Sequence, residues 1–131
     1  MTKRFHEKGR LPSAERIFCL SGELGSGKTT FVQGFAKGLG ISGRLLSPTY
    51  IIVRRYSIPQ SSFALFHGDF YRIETPREGE TLGLPDIFSD PSAIVVLEWP
   101  ERIAEALPKS RTHVYFSVDS DEKRTIRIEK F

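Results

Sequence analysis

The stretch Gly22-Glu23-Leu24-Gly25-Ser26-Gly27-Lys28-Thr29-Thr30 decides how this chain folds. It matches the pattern Gly-x-x-x-x-Gly-Lys-Ser/Thr at every fixed position. Before it lies the apolar run Ile17–Leu20, which predicts a strand buried on both faces. After it, apolar residues recur at helical spacing, predicting a helix from about Lys28 to Leu39 that ends at Gly40. A strand, a glycine-rich turn and a helix in this order are the setting that a phosphate-binding loop requires.

Each fixed position of this loop has a chemical reason. Glycines let the backbone curl tightly, so that several N–H groups point at one anion. Lys28 supplies a charge for the β and γ phosphates, and the Thr29 hydroxyl is suited to ligate Mg²⁺. The loop from Gly22 to Thr30 is therefore predicted to bind ATP with Mg²⁺. The chain lacks the guanine-reading sequence Asn-Lys-x-Asp, which disfavours GTP.

Hydrolysis also needs an acidic group near the metal, and in many P-loop proteins this group follows a second buried strand. The apolar run Ile94–Leu97 predicts such a strand, and Glu98 comes directly after it. We therefore predict that Glu98 and Thr29 hold the metal, with Glu98 acting directly or through water. The alternative interpretation of Glu98 is an ordinary loop carboxylate.

Two further residues complete a predicted catalytic set of Lys28, Asp69, Glu98 and Thr49. Asp69 stands where a predicted strand ends, so it is a candidate to orient the attacking water or to bind a metal-bound water. Its alternative role is a turn-forming aspartate beside Gly68. Thr49 precedes another predicted strand and is a candidate switch residue that senses the γ phosphate, or else a local capping hydroxyl.

Three nearby residues are ambiguous from the sequence alone. His67 is more typical of a packed or hydrogen-bonded structural histidine. Arg72 suits either a salt bridge or a contact with the γ phosphate, and Trp99 suits either core packing or a position over the site.

The rest of the pattern predicts two hairpins beside the two buried strands. They pair Tyr50–Tyr56 with Ser62–His67, and Thr112–Val118 with Arg124–Glu129. We therefore predict an α/β fold, a P-loop NTPase-like domain of three layers in which helices flank a mixed parallel and antiparallel sheet. A single domain is expected over residues 1–131, with a polar, basic lead-in at 1–15.

Two short helices are predicted in the second half of the chain. The sequence Thr75-Pro76-Arg77-Glu78 is a capping box that starts one helix, and Gly83 and Pro85 limit its length. Another helix begins at Pro100 and continues to about Leu107. Its apolar residues are expected on one face, namely Ile103, Ala104 and Leu107.

Composition narrows the setting in which the protein works. The content of 39% hydrophobic and 27% charged residues is typical of a soluble globular protein. The single cysteine, Cys19, excludes a disulfide within the chain and favours a reducing compartment. No apolar stretch approaches the ~20 residues of a membrane helix, so we expect no membrane partner and a cytoplasmic protein. The net charge of +3 fits an ordinary surface or contact with an acidic partner.

Four segments together resemble the TsaE family, formerly called YjeE, the ATPase of bacterial tRNA threonylcarbamoyladenosine synthesis. They are the loop from Gly22 to Thr30, Ser47-Pro48-Thr49-Tyr50, His67-Gly68-Asp69-Phe70-Tyr71-Arg72 and Leu97-Glu98-Trp99-Pro100-Glu101. The P-loop is shared with many families, whereas the other three segments in this order are much more specific. The resemblance extends from about Ile17 to the last predicted hairpin.

The resemblance implies Mg²⁺ and ATP at the P-loop, with Thr29 and Glu98 at the metal. It implies that Asp69 and Thr49 serve hydrolysis or its coupling. It also implies two protein partners, the TsaB and TsaD subunits of the tRNA threonylcarbamoyladenosine synthase, with tRNA met only through that complex. ATP turnover in the family resembles a step that resets the synthase between cycles.

One feature departs from the family pattern. Members usually carry a helix before the first strand, with a threonine near the nucleotide base, whereas here only sixteen residues precede Ile17. We expect either a truncated start or a divergent lead-in, and therefore different contacts to the base. Lys123 and Arg124 in the last turn are candidates for such contacts.

Two alternative functions belong to other classes. A small-molecule kinase would transfer phosphate to a metabolite, although 131 residues leave little room for an arginine-rich lid and an acceptor pocket. A nucleotide-gated binding module would bind ATP or ADP tightly and show negligible turnover even with its partners.

Overall fold

Six strands form one sheet in the computed structural model, which describes residues 12–23, 25–42, 52–75, 77–78 and 82–131. Two predicted site residues, Leu24 and Thr49, lie outside these ranges. The strands are β1 (Ile17–Ser21), β2 (Val53–Ser57), β3 (Ala64–Asp69), β4 (Ala93–Glu98), β5 (Thr112–Val118) and β6 (Arg124–Lys130).

The order of the strands across the sheet is β2-β3-β4-β1-β5-β6. The four inner strands run parallel, and β2 and β6 pair antiparallel to β3 and β5 at the two edges. The predicted mixed sheet is therefore confirmed, as are both hairpins. Because the four inner strands are parallel, their carboxyl ends lie along one edge of the sheet, which is where α/β proteins bind their ligands.

Helices cover both faces of this sheet, so β1 and β4 are apolar except for their last residues, Ser21 and Glu98. Alternate residues belong to different cores: Phe18 and Leu20 pack toward helix α1 (Lys28–Gly38), whereas Ile17 and Cys19 pack in the opposite core. That second core also holds residues of helix α2 (Leu84–Ser89) and of a 3-10 segment, Pro100–Ala106. Full burial of a large aliphatic side chain contributes about 1.5–3 kcal/mol, which makes this three-layer arrangement stable.

The packed part of the chain begins before β1. Residues Ser13–Glu15 form a 3-10 turn in which Ala14 is buried, and the Ala14 carbonyl accepts a hydrogen bond from Thr112 Oγ1 at 2.5 Å. The buried Arg16 donates from Nη2 to the Phe88 carbonyl at 2.8 Å. The end of the predicted polar lead-in is therefore tied into the fold.

The region after β3 differs from the prediction. Residues 77 and 78 are helical, the Glu78 N–H donates to the Thr75 carbonyl at 3.1 Å, and the Glu78 carboxylate accepts a hydrogen bond from the Glu74 N–H at 3.1 Å. Pro85 does not end a helix; it lies in the first turn of α2, which the sequence analysis missed. Proline is tolerated there because the first N–H groups of a helix have no partner within it.

The segment after β4 is not a continuous α-helix. Pro100–Ala106 is a 3-10 segment broken at Ile103, whose backbone angles are φ −128° and ψ 34°. Ile103 is buried and Leu107 is half-buried, but Ala104 is exposed, so the predicted apolar face was wrong for Ala104. The tighter turn and the break at Ile103 rotate Ala104 away from the core.

Candidate nucleotide-binding and hydrolysis site

The loop between β1 and α1 has the tight curl that a phosphate-binding loop needs. A Cβ atom on Gly22 would lie 2.7 Å from the Phe116 carbonyl oxygen, so only glycine fits at this close approach. Gly27 has a φ of 111°, which other residues rarely adopt. The Ser26 N–H closes the turn by donating to the Glu23 carbonyl at 3.1 Å.

Helix α1 begins at the end of this loop and points its amino terminus into the cleft. Gly27 at the N-cap has no side chain to satisfy the first N–H groups, and the first backbone bond runs from the Phe31 N–H to the Gly27 carbonyl at 3.0 Å. The preceding N–H groups of the helix have no partner within it, and the helix dipole adds positive potential there. Such a terminus binds phosphate oxygens well.

Lys28 crosses the mouth of the loop. Its side chain is almost fully buried, and Nζ donates to the Gly22 carbonyl at 2.5 Å. The same ammonium lies 4.2 Å from the centre of the Trp99 ring, an electrostatically favourable cation–π distance. A positive charge is thereby held beside the N–H groups of the loop.

Two carboxylates face this loop from the neighbouring strands. Asp69 and Glu98 are the last residues of β3 and β4, and they are direct partners in the parallel register. Side chains alternate between the faces of a strand, so Asp69, Glu98 and the residue two before Asp69, His67, share the face on which α1 lies. The structure thus brings Asp69 and Glu98 together at the strand ends, where both were predicted.

Glu98 is held by a residue whose role the sequence analysis did not identify. His67 Nε2 lies 2.7 Å from Glu98 Oε2, and both residues are buried, at 5% and 8% exposure. The sequence analysis treated His67 as a structural histidine. The available signal was the two-residue spacing to Asp69, which puts both side chains on one face, but it becomes informative only when the register with β4 is known.

The environment of Asp69 changes its acidity. Partial burial raises the pKa of the Asp69 carboxyl above its ordinary value of 3.8, and the nearby Glu98 carboxylate raises it further. A hydrogen bond from the Tyr71 N–H to Asp69 Oδ1, at 3.1 Å, acts in the opposite direction. A carboxylate with a raised pKa is a stronger base than an ordinary aspartate, which suits a group that accepts a proton from water.

These elements enclose a cleft of about 330 Å³. Its lining includes seven predicted site residues: Gly25, Gly27, Lys28, Thr29, Thr30, Asp69 and Glu98. Gly22, Glu23 and Ser26 instead line a neighbouring cleft of about 410 Å³ on the other side of the loop, together with Phe116, Ser117 and Val118. The predicted phosphate-binding residues therefore divide between the two sides of one loop.

Three other residues complete the first cleft: Tyr71, Trp99 and Arg124. Arg124 donates from Nη1 to the Gly25 carbonyl at 3.3 Å, so its guanidinium lies on the phosphate loop. Trp99 adopts the left-handed region at φ 58° and its ring contacts Tyr71 at 5.0 Å, which places it over the site. Arg72 is exposed and does not line this cleft.

The donor set fits Mg²⁺ bound together with phosphates. The described residues contain no cluster of three or more His, Cys, Asp or Glu side chains that could hold a metal ion alone. Mg²⁺ usually keeps several waters and takes one or two carboxylates plus substrate phosphates. The Thr29 hydroxyl and the Glu98 and Asp69 carboxylates all line the cleft and supply such oxygen ligands.

The family to which the chain belongs is identified by comparison of its sequence with protein families. The family model described as "Threonylcarbamoyl adenosine biosynthesis protein TsaE" matches residues 1–126. The chain belongs to the TsaE family. The resemblance of the four sequence segments is therefore confirmed.

Relatives and a solved structure agree with this membership. A tRNA threonylcarbamoyladenosine biosynthesis protein TsaE from Bacillus subtilis is 39% identical over 84% of this chain and 66% of its own length. The protein of the same name from Borreliella burgdorferi is 43% identical over 73% of this chain and 68% of its own. The crystal structure of YdiB from Bacillus subtilis has a TM-score of 0.67 and 34% identity, covering 84% of this chain and 64% of that one. The chain thus spans about two thirds of the length of these proteins.

No helix in the described part of the chain is both long and apolar enough to span a membrane.

Proposed function

We propose that this TsaE-family chain binds ATP with Mg²⁺ in the first cleft, hydrolyses it, and acts in the biosynthesis of threonylcarbamoyladenosine in tRNA. The observation that carries the proposal is the meeting of the P-loop with Asp69 and Glu98 in one cleft of about 330 Å³. The names of the relatives from Bacillus subtilis and Borreliella burgdorferi support the biosynthetic role.

Binding is the work of the loop. The N–H groups at the start of α1 donate hydrogen bonds to the phosphate oxygens. Lys28 Nζ, which donates to the Gly22 carbonyl in this structure, binds the β and γ phosphates when the nucleotide is present. Thr29 and Glu98 would hold Mg²⁺, and the metal would supply positive charge that neutralises the phosphates. The second cleft beside Ser26 and Val118 offers space next to the phosphates for the rest of the nucleotide.

Hydrolysis depends on the side chains at the ends of β3 and β4. Asp69 orients a water molecule for attack on the γ phosphorus and accepts its proton as the bond to the bridging oxygen breaks, so that ADP and phosphate leave. Its raised pKa and its position beside Glu98 support this role. Thr49 is proposed as the residue that senses the γ phosphate; it lies outside the described residues.

The partners are part of the same proposal. TsaB and TsaD, the synthase subunits, are expected to contact this chain in the cytoplasm, with tRNA reached only through their complex. ATP turnover would then reset the synthase between cycles.

The single cysteine, Cys19, is buried and burial raises its pKa to about 12, which keeps the thiol neutral and suits a reducing compartment.

The test is ATP hydrolysis by the purified chain, alone and with TsaB, TsaD and tRNA. Faster turnover with the partners, together with modified tRNA over several cycles, is the expected result. Hydrolysis that the partners leave unchanged would remove the tRNA role. Phosphate transfer to a metabolite in a screen of acceptors would favour the kinase, and tight binding without turnover would favour the nucleotide-gated module.

A further inference from the structure

The buried pair of His67 and Glu98 has a geometry that a purely structural histidine does not need. His67 Nε2 lies 2.7 Å from Glu98 Oε2. The other ring nitrogen, Nδ1, is buried and has no hydrogen-bond partner among the described residues. The ring therefore makes one directed polar contact, and that contact is to the carboxylate at the predicted metal position.

The direction of this hydrogen bond follows from the proposed metal site. A carboxylate that binds Mg²⁺ is ionised and only accepts, so in that state His67 Nε2 carries the hydrogen and donates it to Glu98 Oε2. A bond to an ionised acceptor is shorter and stronger than a neutral one, in agreement with the distance of 2.7 Å. One oxygen of Glu98 is thereby occupied by protein, and Oε1 is left for a ligand in the cleft.

We propose that His67 is a positioning residue that fixes the Glu98 carboxylate for Mg²⁺. This inference rests on the proposed function. A glutamate has several rotatable bonds, and a free side chain must lose that freedom each time it binds a metal. His67 holds one oxygen in advance, so the other oxygen is presented to the cleft in one orientation. Groups that orient a metal ligand in this way strengthen metal binding and activity by about 10–100-fold.

The arrangement follows from the strand register. Asp69 lies beside Glu98, and His67 lies one step deeper in the same face of β3, beside Val96. From that position the imidazole approaches Glu98 from below, whereas Lys28 and Thr29 face it across the cleft. Strand β3 thus supplies one residue for the reacting water and one for the metal ligand.

The test compares two amide substitutions that both keep a polar side chain. In His67→Gln the amide nitrogen reaches the position of Nε2, whereas in His67→Asn it reaches only that of Nδ1. Electron paramagnetic resonance measures binding of Mn²⁺, as a substitute for Mg²⁺, to the complex with a non-hydrolysable ATP analogue. We expect Mn²⁺ affinity within about threefold of the parent for His67→Gln and about 10–100-fold weaker for His67→Asn.

The chain offers a matched control in a second buried histidine. His113 on β5 also has a buried Nδ1 with no hydrogen-bond partner in the described part of the chain, but its Nε2 accepts a hydrogen bond from Arg111 Nε at 2.9 Å, away from the cleft. His113→Asn is expected to lower the melting temperature and to leave Mn²⁺ affinity unchanged. High Mg²⁺ should restore hydrolysis to His67→Asn, since only the metal site is weakened.

Two outcomes would overturn the inference while leaving the proposed function intact. One is Mn²⁺ affinity at the parental level in a folded His67→Asn. The other is equal loss in His67→Gln and His67→Asn, because the donor would then not matter. Binding of the ATP analogue in the presence of EDTA is measured in parallel. If the parent fails to bind the analogue at all, the proposed function itself is wrong and this inference falls with it.

Discussion

The cleft has two walls that are built in different ways. The loop wall, residues 25–30, is one continuous stretch whose binding groups are mostly backbone N–H groups with a single charged side chain, Lys28. The carboxylate wall consists of side chains at the ends of two strands, Asp69 and Glu98, with His67 behind them. The loop wall offers positive potential, and the carboxylate wall offers negative charge and metal ligands. Binding and bond cleavage therefore depend on different walls and can be lost separately.

The largest expected effect is a loss of triphosphate affinity when the loop wall is changed at Lys28. Lys28→Ala removes the buried charge, and we expect triphosphate affinity to fall by about a hundredfold to a thousandfold, since a unit charge about 4 Å from a phosphate contributes about 4 kcal/mol at an effective dielectric constant of 20. Titration with a fluorescent ATP analogue measures it. Lys37→Ala, at an exposed position of the same helix, is the control. Retained affinity would contradict the assignment of the loop.

The next largest effect is a loss of turnover when the carboxylate wall is changed at Glu98, the proposed metal ligand. Glu98→Ala should leave nucleotide affinity nearly unchanged but reduce Mg²⁺-dependent turnover by roughly a hundredfold or more, because the metal contributes several kcal/mol to the stabilisation of the transition state. Phosphate release over a range of Mg²⁺ concentrations measures the loss. Glu105→Ala, exposed on the 3-10 segment, serves as the control. Turnover near the parental rate would make Glu98 an ordinary loop acid.

Asp69→Asn separates catalysis from stability on the same wall. The amide can keep the acceptor for the Tyr71 N–H but loses the base, so turnover should fall by about a hundredfold. The variant should also melt at a higher temperature than the parent at neutral pH, because the folded state disfavours the charged carboxylate.

The pH dependence gives the sign of that stability effect. The pKa of the Asp69 carboxyl is raised in the folded state above its ordinary value of 3.8. Below about pH 3.8 the carboxyl is protonated in both the folded and the unfolded state. As the pH rises from there through the raised pKa, the parent loses stability. The melting difference between Asp69→Asn and the parent should therefore grow from low to neutral pH. Asp121→Asn, in an exposed turn, provides the comparison. A difference that is constant with pH would show that burial of this charge is not the cause.

The smallest expected effect is on nucleotide affinity and concerns Arg124, which contacts the loop wall. Arg124→Ala removes an exposed guanidinium that contacts the Gly25 carbonyl, and we expect nucleotide affinity to fall roughly threefold to tenfold, the scale of about 1 kcal/mol for an exposed charge. Isothermal titration with ATP and ADP measures it. Arg127→Ala lies on the same hairpin but pairs with Glu129, away from the cleft, and should bind as the parent does. A loss greater than that of Lys28→Ala would show that Arg124, and not Lys28, is the main cation for the phosphates.

The two walls also differ in how far the sequence predicts them. The loop wall could be predicted almost completely, because its geometry depends on consecutive residues and on glycines that the conformation requires. The ends of β3 and β4 were also foreseen, since Glu98 directly follows an apolar run and Asp69 stands where a predicted strand ends. The bond between His67 and Glu98 could not be predicted, because it depends on the register of two strands that lie far apart in the chain.

Local signals also failed where tertiary packing decided the outcome. Helix α2 was missed because Gly83 and Pro85 indicate a break, yet both are tolerated at a helix start, and burial of Leu84 and Phe88 stabilises the helix. The contact of Arg124 with the Gly25 carbonyl was also not foreseen, because the hairpin of β5 and β6 brings Arg124 to the phosphate loop; its contact with the base stays a prediction. In both cases the contacts that decide are with residues distant in sequence.

The most direct test of the two-wall account follows phosphate release in a single turnover, with protein in excess over ATP and Mg²⁺ present. When the protein concentration is also well above the dissociation constant for ATP, binding does not limit the observed rate, so the rate reports the steps after binding, which depend on the carboxylate wall. The account predicts that the parent releases phosphate and that Glu98→Ala retains bound, intact ATP, with or without TsaB and TsaD. Release from Glu98→Ala at the parental rate would contradict the account, as would a parent that binds Mg²⁺ and ATP and leaves the nucleotide intact even with its partners.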